Sequence, residues 1–406
     1  DSAQFEGRDV RQMISWIAQQ PGVQVDGSGD PRVGMVGGSY GGGIQFVTAG
    51  TDCRVDAIAP IIAWNSLVTS LGKAGSPKAG WSKILMGVAA GANLDPRITE
   101  ANEYQLETGA VKPSSVRFFA SRGPGPLLQR IHQPTLIIQG TVDDLFTLTE
   151  SVRNYEILKA NGTNVAMAWY CGGHGTCLTD PGPIDPGALS VAWMDQYVKR
   201  DTSAGALRGF EFTDQNGEVL TSKAYPPKAG PKVSASGSGT LALQQAGGSG
   251  PPAVAPQGTG VNAVIDSIAW RITPGPATNA VDVPIAFDAD ATVVGAPRLT
   301  LKYTGTTPSA CSRPERVFAQ IVDTRTKIVV NNQVTPIAVR LDGKPRSVSV
   351  PLEVVGYSAT ADSRLSLQIV ANTTAYAEPC FGGSLKIAKA KITLPTVTGM
   401  TPLLTE

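Results

Sequence analysis

The stretch RVGMVGGSYGGGIQF, Arg32 to Phe46, is a short apolar run that ends in a serine set among glycines. Gly37-Gly38-Ser39-Tyr40-Gly41 has the form G-x-S-x-G, and the residues ahead of it read as a strand. A strand turning this sharply into a helix leaves no room for bulk two residues either side of the serine, so glycine is expected at 37 and 41. The turn raises the hydroxyl above the sheet edge, at the positive end of the following helix. Ser39 is the candidate nucleophile.

A serine hydroxyl needs a base, and the chain has two histidines. His132, in RIHQPTLII, reads as an ordinary loop or core residue. His174 follows the apolar run NVAMAWY and stands between Gly173 and Gly175, where its ring can reach outward. The base needs a carboxylate to set its tautomer and stabilise the imidazolium. IIQGTVDDLF supplies Asp143 and Asp144 at the end of a buried strand. Asp143, three residues past Gly140, is expected to point back over the sheet, and Asp144 to face away as a helix lead-in. The order Ser39, Asp143, His174 is the order that accompanies a nucleophile elbow.

The rest of the first 200 residues alternates strands and helices, which implies an α/β fold with a parallel sheet covered on both faces. FEGRDVRQMISWIAQQPGV places Val10, Met13, Ile14 and Ile17 at helical spacing. VDAIAPIIAW is a continuous apolar run of the buried parallel type. Residues 65–130 change to irregular helices broken by Gly and Pro, and GALSVAWMDQYVKRD is a closing amphipathic helix. The boundaries read as 1–203, a connector at 204–233, and 234–406. Residues 226–260, rich in Pro, Gly, Ala and Ser, taken alone read as a linker. Beyond them period-two runs (Val281, Val283, Ile285, Phe287; Leu299, Leu301, Tyr303; Val317, Ala319, Ile321; Leu365, Leu367, Ile369) argue a β-sandwich or jelly roll. No internal repeat is found.

Composition sets the outer limits. At 406 residues with 42% hydrophobic content, two or three packed domains are expected. A formal charge of +1 without long single-sign runs gives no footing for nucleic acid or a membrane surface. No apolar stretch is long enough to span a bilayer, and nothing calls for a cofactor. Five cysteines include Cys171 and Cys177, which flank His174, and Cys311 and Cys380 in the β-rich half. Two disulfides and an odd Cys53 fit a secreted or cell-envelope protein; five buried thiols in a cytosolic one are the alternative. Cys-x2-His-x2-Cys also reads as three metal ligands. That would consume the base and lacks the usual ligand spacing, so no metal is expected there. A disulfide pinning the histidine loop is the preferred reading.

The oxyanion hole needs two donors, and the N–H of Tyr40 supplies one. The second normally comes from an upstream loop, and 38 residues precede Ser39. An elbow strand without earlier strands beside it is left as a bare edge. About 100 further residues are therefore expected upstream, cleaved off, present as a separate N-terminal fragment, or absent from this chain, and they are where a partner for Cys53 could lie.

DPRVGMVGGSYGGGIQ, PTLIIQGTVDDLF, GGHG, WMDQYVKRD and the late β-rich half together resemble the Xaa-Pro dipeptidyl peptidase and cocaine esterase group of α/β-hydrolases. The resemblance runs over nearly the whole chain. It implies an α/β-hydrolase sheet, incomplete at its N-terminal side, with a helical cap at 65–130 and a C-terminal jelly roll. It also implies Ser39 as nucleophile, Asp143 as acid and His174 as base. Two departures are that no position matches the family's upstream oxyanion tyrosine, and that Thr141-Val142 stands where an aromatic often precedes the acid.

The leading functional reading is hydrolysis of acyl bonds, in a small ester or a short Xaa-Pro peptide, through an acyl-enzyme. A dipeptidyl peptidase must hold a free α-amine, for which Glu100, Glu103 and Glu107 of the cap are available, though helix acids are more often simply solvated. Trp64 and Trp81 are candidates to line an acyl pocket, with core packing as the alternative. The competing readings are a weakly active or inactive binding protein of the cell surface, and an acyltransferase.

Overall fold

The computed structural model describes residues 1–254 and 267–403. The first half is built on a sheet whose five leading strands are parallel: β1 (Val33–Gly38), β2 (Val55–Ile61), β3 (Thr135–Gly140), β4 (Val165–Tyr170) and β5 (Phe210–Thr213). Antiparallel β6 (Val219–Ser222) and the short strand Thr401–Pro402 extend it beyond β5. The resulting seven-stranded order, from β1 to Thr401–Pro402, places β3 and β4 in the interior and β1 at one edge. Successive residues of the parallel strands point to opposite faces, and both faces are covered. Ile58, Ile137 and Met167 pack beneath α1 (Glu6–Ile17), α2 (Tyr40–Ala49) and α7 (Leu148–Ala160), while Ala57, Leu136 and Ile138 pack beneath α8 (Pro186–Tyr197) through Trp193.

Helix α1 departs from its periodicity. Ile14 is buried, but Met13 and Trp16 are 61% and 63% exposed. Its apolar stripe is wider than the surface it covers. Val36 of β1 is likewise half exposed, because β1 has a ladder on one side only among the described residues. The insertion after β2 is α3 (Leu67–Ser70), a small hairpin at 72–77, α4 (Ala79–Val88), α5 (Pro96–Thr108) and α6 (Val116–Ala120). Asp95 caps α5 by accepting from the N–H of Arg97, with Pro96 at the first position and Gly109 left-handed at the end.

The second half is all-β. One four-stranded sheet pairs β7 (Val233–Ala242), β16 (Ser384–Leu394), β10 (Arg298–Thr306) and β13 (Arg346–Pro351). A second pairs β8 (Ala280–Ile285), β15 (Leu365–Val370), β11 (Arg316–Asp323) and β12 (Ile328–Ala338), and a third contains β9 (Ala291–Gly295) and β14 (Val355–Ala359). The four period-two runs of the sequence all enter one apolar core. The linker reading of 226–260 fails at β7, which runs antiparallel to β16 through the middle of that segment. Gly237 and Gly239 hide the pattern. Each stands where a side chain would press on Val283 or Val281 across the core, a Cβ there coming to 3.0 Å. Part of that segment, 255–266, lies outside the described residues. Val294 and Val354 pack into the core of the parallel sheet, so the halves share apolar contact.

Cys171–Cys177 and Cys311–Cys380 are disulfides, with sequence separations of 6 and 69, and Cys53 is an exposed free thiol. Among the described residues no helix is long and apolar enough to cross a membrane. A crosslink stabilises chiefly by restricting the unfolded chain, and more so for a longer loop. Replacing Cys311 and Cys380 by Ser is expected to lower unfolding free energy by roughly 4 kcal/mol, against roughly 2 for the Cys171/Cys177 pair. Denaturant titration of the two double variants checks this order.

Candidate active site

Ser39 sits between β1 and α2 with φ 53° and ψ −115°, a strained conformation held by its N–H donating to Ile61 O at 2.9 Å. The steric need for glycine lies partly elsewhere than the motif suggests. A Cβ at Gly41 meets nothing within 4 Å, whereas at Gly42 it meets Ile61 O at 2.8 Å and at Gly43 the Trp64 ring at 2.5 Å. Gly37 matters because its Cβ would press on the Gly41 backbone at 3.1 Å. The elbow is thus tight against β2 and the cap as well as against itself. Tyr40, next in chain, opens α2, and its N–H belongs to the first turn, which the helix ladder leaves unpaired.

His174 reaches Ser39 across the sheet rim. Its Nε2 lies 2.8 Å from Ser39 Oγ, and its Nδ1 lies 2.8 Å from Asp143 Oδ2. With a carboxylate at Nδ1, the neutral ring carries its proton there and leaves Nε2 to accept from the hydroxyl. The ring is clamped edge-on by Phe146 at 4.9 Å and Trp81 at 5.9 Å. The two loops approach so closely that a Cβ at Gly175 would fall 2.0 Å from Val142 O, and one at Gly140 would fall 1.9 Å from Gly172 O. The Cys171–Cys177 disulfide closes the histidine loop.

Asp143 is completely buried, yet its carboxylate is saturated with donors. The N–H groups of Leu145 and Phe146 reach Oδ1 at 3.0 and 2.7 Å, and the Gln139 amide reaches Oδ2 at 3.3 Å beside His174. Such bonds replace the water that burial removes.

Asp144 corrects the sequence reading. It does not face away. It is buried, with Oδ1 accepting from Trp81 Nε1 at 2.7 Å, while Lys78 Nζ donates to the carbonyls of Asp144 and Leu145. The strand end is too enclosed for either aspartate to reach solvent. Burial pushes the Asp144 carboxyl up to about 7, against the pull of the indole and of Lys78. Burial works against ionisation of Glu353 too, but Lys73, Lys78 and bound hydroxyls hold that carboxyl down at about 2.

The remaining candidates divide by place. Trp64 and Trp81 are 2% and 5% exposed, in one apolar cluster with Leu145 and Phe146, so both back the site from the core. Glu100, Glu103 and Glu107 are exposed on α5, and Glu100 pairs with Lys112. His132 is an exposed loop residue. Among the described residues no cluster of His, Cys, Asp and Glu has the makings of a metal site. Sequence reasoning missed Gln139, Lys78, Asn332, Gln333 and Glu353. Gln139 and the Asn331-Asn332-Gln333 triplet carried a signal, being amides inside apolar runs; Lys78 and Glu353 carried none.

Residues 2–176 match the X-Pro dipeptidyl-peptidase (S15 family). No curated protein matches the chain. Among solved structures, a CocE/NonD family hydrolase from Staphylococcus aureus is similar over 97% of this chain and 75% of its own, at 14% identity and a TM-score of 0.68. An aminopeptidase from a marine sediment archaeon, Thaumarchaeota archaeon, is similar over 96% of this chain and 80% of its own, at 13% identity and a TM-score of 0.62. The fold is that of an α/β-hydrolase carrying a C-terminal all-β part, and the family match supports a hydrolytic enzyme.

Asp144 supplies a stability test. Its carboxyl holds its proton more tightly folded than unfolded, so its favourable contribution is complete below about pH 4 and is lost as pH rises to about 7. Asp144→Asn keeps an acceptor for Trp81 and removes that loss. From pH 4 to pH 8 the variant is expected to gain roughly 2–4 kcal/mol relative to the parent, read by denaturant unfolding at each pH.

Proposed function

We propose that the chain is a serine hydrolase that cleaves acyl bonds through an acyl-enzyme, with Ser39 as nucleophile, His174 as general base and acid, and Asp143 orienting the imidazole. The observation that carries this is the continuous pair of 2.8 Å links from Ser39 Oγ to His174 and from His174 to Asp143, at the C-terminal rim of a parallel sheet. In the first step Ser39 Oγ attacks the acyl carbon while Nε2 takes its proton. The oxyanion forms within reach of the α2 N-terminus, where Tyr40 N–H is the assigned donor. His174 then protonates the leaving alcohol or amine, the C–O or C–N bond breaks, and a water deprotonated by the same nitrogen hydrolyses the ester of Ser39. Asp143 keeps its four hydrogen bonds throughout and holds the imidazole in orientation.

Within that class the cap favours the ester reading, while the matching family is that of a peptidase. A free α-amine needs a carboxylate committed to it, and the three cap acids are solvated on α5. For the second oxyanion donor we propose a strand supplied by a separate N-terminal fragment and laid along the edge of β1 that has no ladder among the described residues. Two disulfides support an oxidising setting, secreted or in the cell envelope.

A fluorophosphonate probe is expected to label Ser39, and Ser39→Ala and His174→Ala to abolish labelling. Turnover of short-chain p-nitrophenyl esters should fall by at least about 10⁴-fold in either variant, and should exceed turnover of an Xaa-Pro amide in the parent. A folded parent that neither reacts with the probe nor hydrolyses either substrate overturns the assignment.

A further inference from the structure

Strand β12, at the edge of the second four-stranded sheet, carries an interruption. Along β11 and β12, Gln320 pairs with Val334 and Val322 pairs with Val329, which leaves Val330, Asn331, Asn332 and Gln333 opposite Ile321 alone. The extra residues bulge out of the sheet. Asn331 and Asn332 take left-handed backbone, φ 53° and 54°, a conformation that asparagine tolerates better than other non-glycine residues. Asn331 Oδ1 accepts from Gly356 N–H at 2.9 Å on β14, which ties the bulge to its own half.

The next two side chains cross to the hydrolase half. Gln333 Nε2 donates to the main-chain carbonyl of Asp143 at 3.0 Å and to Asn331 O at 2.9 Å, and Asn332 Nδ2 donates to Thr176 O at 2.8 Å. Both amides are buried, at 1% for Asn332 and 6% for Gln333. Nearby, Glu353 accepts from the hydroxyls of Thr147 and Thr149, at the start of α7, which follows the Asp143 turn. One rigid bulge therefore holds the carbonyl of the acid itself and a carbonyl two residues past the histidine. These are the two loops whose separation sets the contact between His174 and Asp143.

We propose that Asn332 and Gln333 are positioning residues for the hydrolase site, so that the all-β half fixes the alignment of acid and base. The inference rests on the acyl-enzyme reading. It requires no contact between the β-half and substrate. Loss of either amide lets the loops relax, and the effect falls on the chemical step and on the histidine's protonation, not on substrate affinity.

Asn332→Gly removes the amide while easing the left-handed backbone, and Gln333→Met removes the donor at similar volume. In the full chain each is expected to lower kcat for p-nitrophenyl acetate, and the rate of fluorophosphonate labelling, by about 10- to 100-fold with KM within about twofold. The titration of His174, followed by NMR in a chain with two histidines, is expected to shift while that of His132 stays fixed. If Gln333→Met does not fold, the isosteric Gln333→Glu, which turns a donor towards two carbonyls into an acceptor, makes the same test. Folded variants with parental kcat, labelling rate and His174 titration overturn the proposal. Failure of the parent itself to label or turn over sinks the hydrolase reading instead, so the two failures are told apart.

Discussion

The arrangement depends on one buried carboxyl group. Asp143 has no exposure to solvent, and an ionised carboxylate in that position is tolerable only if donors replace its lost hydration. Leu145 and Phe146 give their backbone N–H groups, Gln139 its amide and His174 its ring N–H. Meeting those demands winds residues 143–146 into a tight turn. The turn in turn sets Phe146 against the imidazole. The histidine is thus oriented twice by the same residue, through its own hydrogen bond and through the ring that the turn delivers.

Much of this was legible in the sequence because it is local. The elbow glycines, the strand ahead of them, Asp143 three residues past Gly140 and a glycine-flanked histidine are all short-range patterns with a steric or electrostatic reason. The period-two runs of the β-half were legible for the same cause, since alternation is a property of single strands. What could not be read depends on what lies opposite. Strand β7 looked like a linker because glycines occupy positions facing Val281 and Val283. Asp144 read as a mere helix lead-in because nothing in DDLF announces that Trp81 and Lys78 arrive from the insertion. Met13 looked buried because periodicity records an apolar stripe and not the width of its cover.

The two halves are joined by unlike means. Apolar contact through Val294 and Val354 is non-directional and tolerates small displacements. The polar bridges from Asn332, Gln333 and Glu353 are directional, buried and aimed at the segments around Asp143 and His174. Buried amides left without partners are costly, so each bridge penalises any sliding of one half over the other. Lys73, from the cap hairpin, meets Glu353 from the β-half, so the insertion joins the same polar junction.

The position of β1 gives the three groups unequal footing. Asp143 and His174 hang from β3 and β4, each flanked by neighbours on both sides, whereas Ser39 ends a strand laddered on one side. Peripheral strands unzip at lower free energy than central ones, and such fraying is slower than side-chain rotation. Ser39 is thus the member of the trio with the least-held anchoring strand among the described residues. Order at the serine accordingly follows how firmly the outermost strand of the described sheet is held, and a partner strand laid along it would steady that group more than the other two.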